Sequence, residues 1–547
     1  MQNYTKTLNK STKVATPQNQ KIKGRKKDMA KNYGGGVSFK LDKWDKLNRF
    51  LVLGSDQPTY YASAQKLTKK NAKNIEKLIK EDGIEVVNRV VEISLEGRAP
   101  NNDPALFVLA MVASYGTDEA KKYALDNLSK VARIGTHLFH FTEFVNSMRG
   151  WGRGLRKAFA KWYTDKDINK LAYQVVKYQS RDGWSHRDIL RKSHAQAVNE
   201  DMNKVFHWIT QGINGDIEKY RKIPMIYGFE LAKKAENEKE IVNLIKEYNL
   251  PREAIPTQFL GKKVYEALLP TMPMTALIRN LGNLSKVGIL ESGNFDEINL
   301  VVDKITNDEA LKKARVHPIQ LLMALKTYEA GRGFRGSNTW NVVPQIVSAL
   351  DAGFYKAFKN IESTGKRILI ALDVSGSMGS GIQNAPFISC RSASSAMAMV
   401  TMKAEKNWGI IGFTGGGWYG SGQALTNVTE LKLHDRMSLN DVDNYVSRLD
   451  FGGTDCALPA LWAAGMNKDF DAIFVYTDNE TWAGNIQPSE AMDRYRHKVG
   501  HDVKLVVVGM ASNGFTIADP KDRSSLDVVG FDTNAPSIMS DFIMDKF

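Results

Sequence analysis

From about Asp42 to Phe358 the apolar positions recur at helical spacing almost throughout. Ile84, Val87, Val91 and Leu95 lie three and four residues apart, and Gly97 and Pro100 follow to stop the helix. Asp103-Pro104 predicts an N-cap and first-turn proline ahead of the apolar run Ala105–Ala113. No strand is evident in this region, and no fixed repeat period is legible. Short helices joined by short loops predict an α-solenoid of degenerate repeats, each helix pair burying its face on the next.

The pattern changes near Lys366. Arg367–Leu372, Gly409–Phe413, Ala472–Tyr476 and Val503–Val508 are short apolar runs, with helical stretches such as Ala393–Lys406 and Asp455–Met466 between them. Buried strands alternating with helices predict a parallel α/β sheet, doubly wound and covered on both faces. The chain is therefore multi-domain: an α-solenoid followed by an α/β domain from about residue 363 to 547.

Charge sharpens this division. The 547 residues carry a formal net charge of +15. From Lys366 onward there are 16 Lys+Arg against 21 Asp+Glu, a net of −5, which leaves 59 against 39, a net of +20, before it. A polyanion should dock on the N-terminal two-thirds. Eight basic residues precede the first acid, Asp28, so residues 1–30 are expected to form a disordered basic arm. The two cysteines, Cys390 and Cys456, form no CxxC pair, which disfavours thiolate zinc and fits a reducing compartment. No apolar run approaches a membrane span and no secretory signal is evident, so a cytoplasmic protein with no membrane partner is expected.

Two constellations carry chemistry. The first α/β strand ends in Asp373-Val374-Ser375-Gly376-Ser377, a D-x-S-x-S run at a strand's carboxyl end, where open α/β sheets bind ligands. One small carboxylate and two hydroxyls on a turn suit a hard cation with oxygen ligands, magnesium above all, or manganese. Thr454, in Gly452-Gly453-Thr454-Asp455, and Asp478, after Ala472–Tyr476, stand at later strand ends as plausible partners. Two carboxylates among five donors are too few for a two-metal nuclease, although Asp455 and Glu480 lie close in sequence. Ser363-Thr364-Gly365-Lys366 lacks the glycine and the Ser/Thr of a phosphate loop.

The second constellation is cationic. Arg149 precedes a stretch in which Arg153, Arg156, Lys157 and Lys161 share one helix face, while Leu155, Ala158, Phe159 and Trp162 share the opposite one. Downstream, Lys177 and Arg181 lead to Ser185 and Asp188, spaced as a capping box, with His186 and Arg187 in the first turn of a new helix. Arg187, Arg191 and His194 continue at helical spacing, beside Lys192. Cations with adjoining aromatics suit structured RNA and splayed single strands.

Both constellations carry a family resemblance. Asp373, Ser375, Ser377, Thr454 and Asp478 in that order resemble the metal-ion-dependent adhesion site of von Willebrand factor A domains, which implies that these five hold a divalent ion. Thr136-His137-Leu138-Phe139, Trp151–Lys157, Gly183–Asp188, Met272–Gly282 and His317-Pro318 resemble the TROVE module of the Ro autoantigen family, as do Phe50–Gly54 and Thr59–Ala62. The resemblance covers roughly residues 32–547. It implies a ring of HEAT-like repeats over 31–362 joined to a von Willebrand A domain over 363–547, without catalysis. It also implies a monomeric ring that binds misfolded and Y-type non-coding RNAs, takes single-stranded 3′ ends into its hole, and works beside a 3′-to-5′ exoribonuclease. With His137 from the first matched stretch, the RNA-binding candidates are His137, Arg149, Arg153, Arg156, Lys157, Lys161, Lys177, Arg181, His186, Arg187, Arg191 and Lys192. Two departures stand out: the Lys-rich arm has no evident family counterpart, and Gly376 replaces a residue that is often alanine. The alternatives are a metal-dependent protein-interaction scaffold, in which RNA binding is incidental, and a metal-dependent nuclease.

Overall fold

The computed structural model describes residues 15–54, 73–213, 215–333, 337–358, 363–382, 385–415, 427–449, 452–511 and 513–546. Residues 1–14 of the expected arm and the familial stretch Thr59–Ala62 lie outside these. From Ala15 onward the arm is not disordered. Strands β1 (Met29–Lys31) and β2 (Val37–Lys40) pair antiparallel, and β2 takes a further partner from the far end of the chain, Phe515–Thr516. The composition misleads because lysines dominate it while a few apolar residues decide the structure. Met29, Val37 and Phe39 are buried against Ile22, whereas Lys21, Lys23, Lys26 and Lys27 face solvent.

The helical domain follows the expected period with local shifts. Ala105–Ala113 is wholly buried within the helix Asp103–Tyr115, whose N-cap is Asn102 rather than Asp103. The helix Lys73–Glu96 breaks at Asp82 and turns a different stripe inward from the one expected. Val86, Val87, Val90 and Ile93 are buried, while Ile84, Val91 and Leu95 are half-buried. One short strand pair interrupts the helices: β3 (Ser180–Arg181) and β4 (Trp184–Ser185). Its turn residues, Asp182 (φ 52°) and Gly183 (φ 78°), both lie in the left-handed region, the geometry that an Asp-Gly hairpin turn favours.

The last repeats return to the first. Arg315 Nε donates to the Leu95 carbonyl (2.6 Å), Gln320 Nε2 donates to the Pro100 carbonyl (3.1 Å), and His317 Nε2 lies 3.2 Å from the Arg98 carbonyl. The solenoid thus closes on itself.

The α/β domain starts with β5 (Arg367–Asp373). A hairpin of β6 (Gly381–Ile382) and β7 (Ala385–Ser389) follows, then β8 (Asn407–Phe413), β9 (Val428–Glu430), β10 (Ala472–Thr477), β11 (Lys504–Gly509), β12 (Phe515–Thr516) and β13 (Ser525–Val529). The main sheet has the order β13-β11-β10-β5-β8-β9, parallel except for the edge strand β9. Alternate residues of β5 serve opposite faces, as strand geometry requires. Ile368, Ile370 and Leu372 join the core beneath the helix Cys390–Ala404, and Leu369 and Ala371 join the core beneath Leu458–Gly465 and Pro488–Val499. The first of these cores is continuous with that of the helical domain.

Both ends of the closed solenoid are pinned to this domain. Arg49, fully buried, donates from Nη2 to both Asp527 oxygens (2.7 Å each) and from Nη1 to Asn513 Oδ1 (3.0 Å). Arg98 pairs with Asp532 (2.7 Å), and Lys326 with Asp443 (2.6 Å). No helix among the described residues is long and apolar enough to cross a membrane.

Candidate nucleic-acid interface and metal centre

The helix Arg153–Thr164 segregates as its spacing predicts. Leu155, Ala158, Phe159 and Trp162 are buried, joined by Tyr163, and Arg153, Arg156, Lys157 and Lys161 are exposed. Beside it stands the eight-residue helix His186–Ser193. Its capping box is complete: Ser185 Oγ accepts from Asp188 N, and Asp188 Oδ2 accepts from Ser185 N (2.9 Å). Arg187, Arg191 and Lys192 are exposed on it, while His194 adopts a left-handed C-cap (φ 54°) and ends the stripe. Among the described residues no carboxylate lies within ion-pair distance of Arg153, Arg156, Lys157, Arg187 or Arg191. Lys192 Nζ lies 5.4 Å from the Trp151 ring centre and 5.8 Å from that of Trp184. These elements present one outward plate of cations with two indoles at its edge.

Two expected contacts are corrected. His186 is buried, with Nδ1 2.8 Å from the Tyr163 hydroxyl and its ring between Phe139 and Trp162. Burial pushes its pKa down to about 3, so it is a neutral core residue that braces the plate. The start of its helix cannot offer it to a phosphate because the same turn folds it inward. Arg149 is half-buried and donates to the Ala113 carbonyl, which closes the end of the helix Asp103–Tyr115.

Lys177, Arg181 and His137 belong elsewhere. They line a central cavity of 1430 Å³ bounded by successive repeats around the closed solenoid. That exceeds the roughly 300–1,000 Å³ of a small-ligand site. Six Lys/Arg side chains line it (Arg133, Lys177, Arg181, Arg252, Arg279 and Arg315) against two carboxylates, Asp103 and Glu253. Asp103 is already engaged, 2.7 Å from His140 Nδ1, so the lining is net cationic. His137 is neutral here: burial, then the charge of Arg133, lowers its pKa to about 3.

The second site lies at the carboxyl end of the sheet. Asp373 Oδ1 accepts from Ser375 N (2.9 Å), and its Oδ2 accepts from Thr477 Oγ1 (2.6 Å). Ser375 Oγ and Ser377 Oγ are 3.1 Å apart, and Asp478 Oδ1 accepts from Glu480 N (3.1 Å). Gly376 N donates to the Gly452 carbonyl (3.2 Å), which draws the loop of Thr454 to the same place. Burial, then the charge of Asp478, pushes Asp373 up to about 7, and burial raises Asp478 as well. Two buried carboxylates with three hydroxyls form an oxygen set whose chemistry fits a hard cation. Asp455 and Glu480 do not extend it: Asp455 accepts from Gln18 Nε2, and Glu480 from Gly34 N and Asn513 Nδ2.

Comparison with known proteins fixes the kinship. The TROVE domain matches residues 30–329, and the Ro60 vWA domain matches residues 367–543. A Deinococcus radiodurans protein named RNA-binding protein RO60 is 39% identical over 528 residues, covering 96% of this chain and 97% of its own. The chain belongs to the Ro60 family. Its Caenorhabditis elegans relative of the same name is 35% identical, covering 95% of this chain and 91% of its own. The crystal structure of the Deinococcus radiodurans Ro (RSR) protein superposes with a TM-score of 0.70 at 38% identity, over 92% of this chain and 100% of that one.

Within this Ro60-family chain, the cavity cations Arg133, Arg252, Arg279 and Arg315 escaped the sequence-based candidates. Only Arg279 had a signal, since it sits in the familial stretch Met272–Gly282. Ring closure, not local spacing, brings these four together.

Proposed function

We propose that this protein binds non-coding RNA at two places without cleaving it. The outer plate of Arg153, Arg156, Lys157, Arg187, Arg191 and Lys192 takes structured RNA, such as Y-type or misfolded RNA. The central cavity takes a single-stranded 3′ end. Support comes chiefly from the plate: an exposed cation set with no carboxylate partner within reach, which a polyphosphate would neutralise. The relatives' name, RNA-binding protein, points the same way.

Asp373, Ser375, Ser377, Thr454 and Asp478 would hold magnesium, or manganese in its place. There the ion would fix the loops of the α/β domain and offer an open coordination position to a partner's carboxylate. That partner need not be RNA. An exoribonuclease that trims the threaded RNA would suit a ring that presents 3′ ends.

Incubation of the purified protein with end-labelled structured RNA and magnesium tests this reading. Retention of intact RNA is expected. Cleavage would make the metal site catalytic, and failure to retain RNA would leave a metal-dependent protein scaffold.

A further inference from the structure

The segment before the helical domain packs directly against the loops of the proposed metal site. Gln18 is wholly buried, and all its polar atoms are used. Its side-chain Nε2 donates to Asp455 Oδ1 (2.6 Å) and to the Ile486 carbonyl (2.9 Å). Its Oε1 accepts from Thr481 Oγ1 (2.6 Å) and Gly484 N (3.1 Å). One amide thereby bridges the loop that carries Thr454 and the loop that follows Asp478.

The rest of the segment closes over the second loop. Asn32 Nδ2 donates to the Thr481 carbonyl (2.7 Å), Gly34 N to Glu480 Oε2 (2.9 Å), and Ser38 Oγ to the Asn479 carbonyl (3.3 Å). The approach is so close that a Cβ on Gly36 would overlap the Thr481 carbonyl oxygen. These contacts end one residue from Thr454 and one from Asp478, and none involves a proposed metal ligand.

We infer that residues 16–38 form a clasp that sets the geometry of the metal site, with Gln18 as its positioning residue. The inference rests on the proposed metal site at Asp373–Asp478. Its consequence is reciprocal. If a docked clasp tightens the ion, a bound ion must hold the clasp shut by the same factor. Partners behind metal ligands commonly change affinity by about 10- to 100-fold, and that is the size expected here.

Two measurements on the full chain test this. Calorimetric titration with manganese should show Gln18→Ala binding about 10- to 100-fold more weakly than the parent. Trypsin supplies the readout that a merely structural role would not move. Lys21, Lys23, Lys26 and Lys27 are exposed on the clasp, and cleavage there needs local opening. Saturating manganese should slow that cleavage by a similar factor in the parent, and not at all in Asp373→Ala. The trypsin arm needs no clasp variant, so it stands even if Gln18→Ala misfolds.

No heat of manganese binding in the parent would sink the metal site and the inference with it. Metal binding of unchanged affinity in folded Gln18→Ala, or no manganese effect on cleavage at Lys21–Lys27, would overturn the clasp and leave the metal site standing.

Discussion

The Tyr163 hydroxyl and His186 Nδ1, 2.8 Å apart and both buried, tie together the two helices that carry the outer cations. Tyr163 lies on the inner face of Arg153–Thr164, and His186 is the first residue of His186–Ser193. The spacing of Arg153, Arg156 and Lys157 from Arg187 and Arg191 therefore depends on a neutral pair buried beneath them.

That relationship separates His186 from its exposed neighbours. His186→Ala should destabilise the fold by about 2–4 kcal/mol, because it opens a cavity and strands the phenol. Arg191→Ala should change stability by less than about 0.5 kcal/mol while weakening hairpin RNA. Chemical denaturation and filter binding on both variants check this. A stable His186→Ala with selectively lost RNA binding would return the ring to direct contact.

Salt dependence tests the plate as a unit. Neutralising Arg153, Arg156 and Lys157 together should flatten the slope of log affinity against log salt by about two to three units. An unchanged slope for hairpin RNA would remove this helix from the interface.

The amphipathic helices and the parallel sheet were legible, because each depends on spacing within a few residues, and so was the place of Asp373, Ser375 and Ser377 at and just past a strand's carboxyl end. The cavity was not. Arg252, Arg279 and Arg315 meet Lys177 only because the solenoid closes, and closure rests on contacts such as Arg315 to Leu95, some 220 residues apart. The clasp was hidden for another reason. In residues 15–40 lysine sets the average while Gln18, Met29 and Phe39 set the structure. The β3–β4 hairpin carried its own signal in Asp182-Gly183, which the helical pattern around it overrode.

The buried histidines imply acid sensitivity. His186 and His317 are pushed down by burial to about 3 and about 4, against an ordinary value near 6.5. Their folded pKa is depressed, so their contribution is present above about pH 6.5 and is lost as the pH falls towards the folded value. Between those limits each costs about 1.4 kcal/mol per pH unit. The raised Asp45 and Asp455, both near 6 through burial, titrate with the opposite sign, so a difference is the clean readout. From pH 6 to pH 4.5, stability of the parent minus that of His186→Phe should fall by about 1.4 kcal/mol per unit. Urea denaturation across that range measures it, and a flat difference would mean that His186 is protonated in the folded state.

The junction of the two domains should be the costliest place to cut. Arg49→Ala would leave Asp527 and Asn513 without the guanidinium that joins them. Removing one partner of a buried pair costs about 3–5 kcal/mol, whereas the surface pair Lys43–Glu81 should cost less than about 1. Thermal unfolding of Arg49→Ala and Lys43→Ala compares the two. Equal effects would show that the pair at the junction carries no special load.

The cavity and the plate should respond to different RNAs. Arg279 and Lys177 line the cavity, whereas Arg153 and Arg191 stand on the outer surface. Arg279→Gln with Lys177→Gln should weaken a short single strand and leave a blunt hairpin nearly unaffected. Arg153→Gln with Arg191→Gln should do the reverse. A hairpin with a free 3′ tail engages both sets through one molecule, so its affinity should exceed that of the blunt form and drop in either double variant. Competition of tailed, blunt and single-stranded RNAs against one labelled probe decides it. If the cavity variant weakens every ligand alike, or tail and blunt end compete equally, the RNA reads one continuous basic surface and no strand enters the hole.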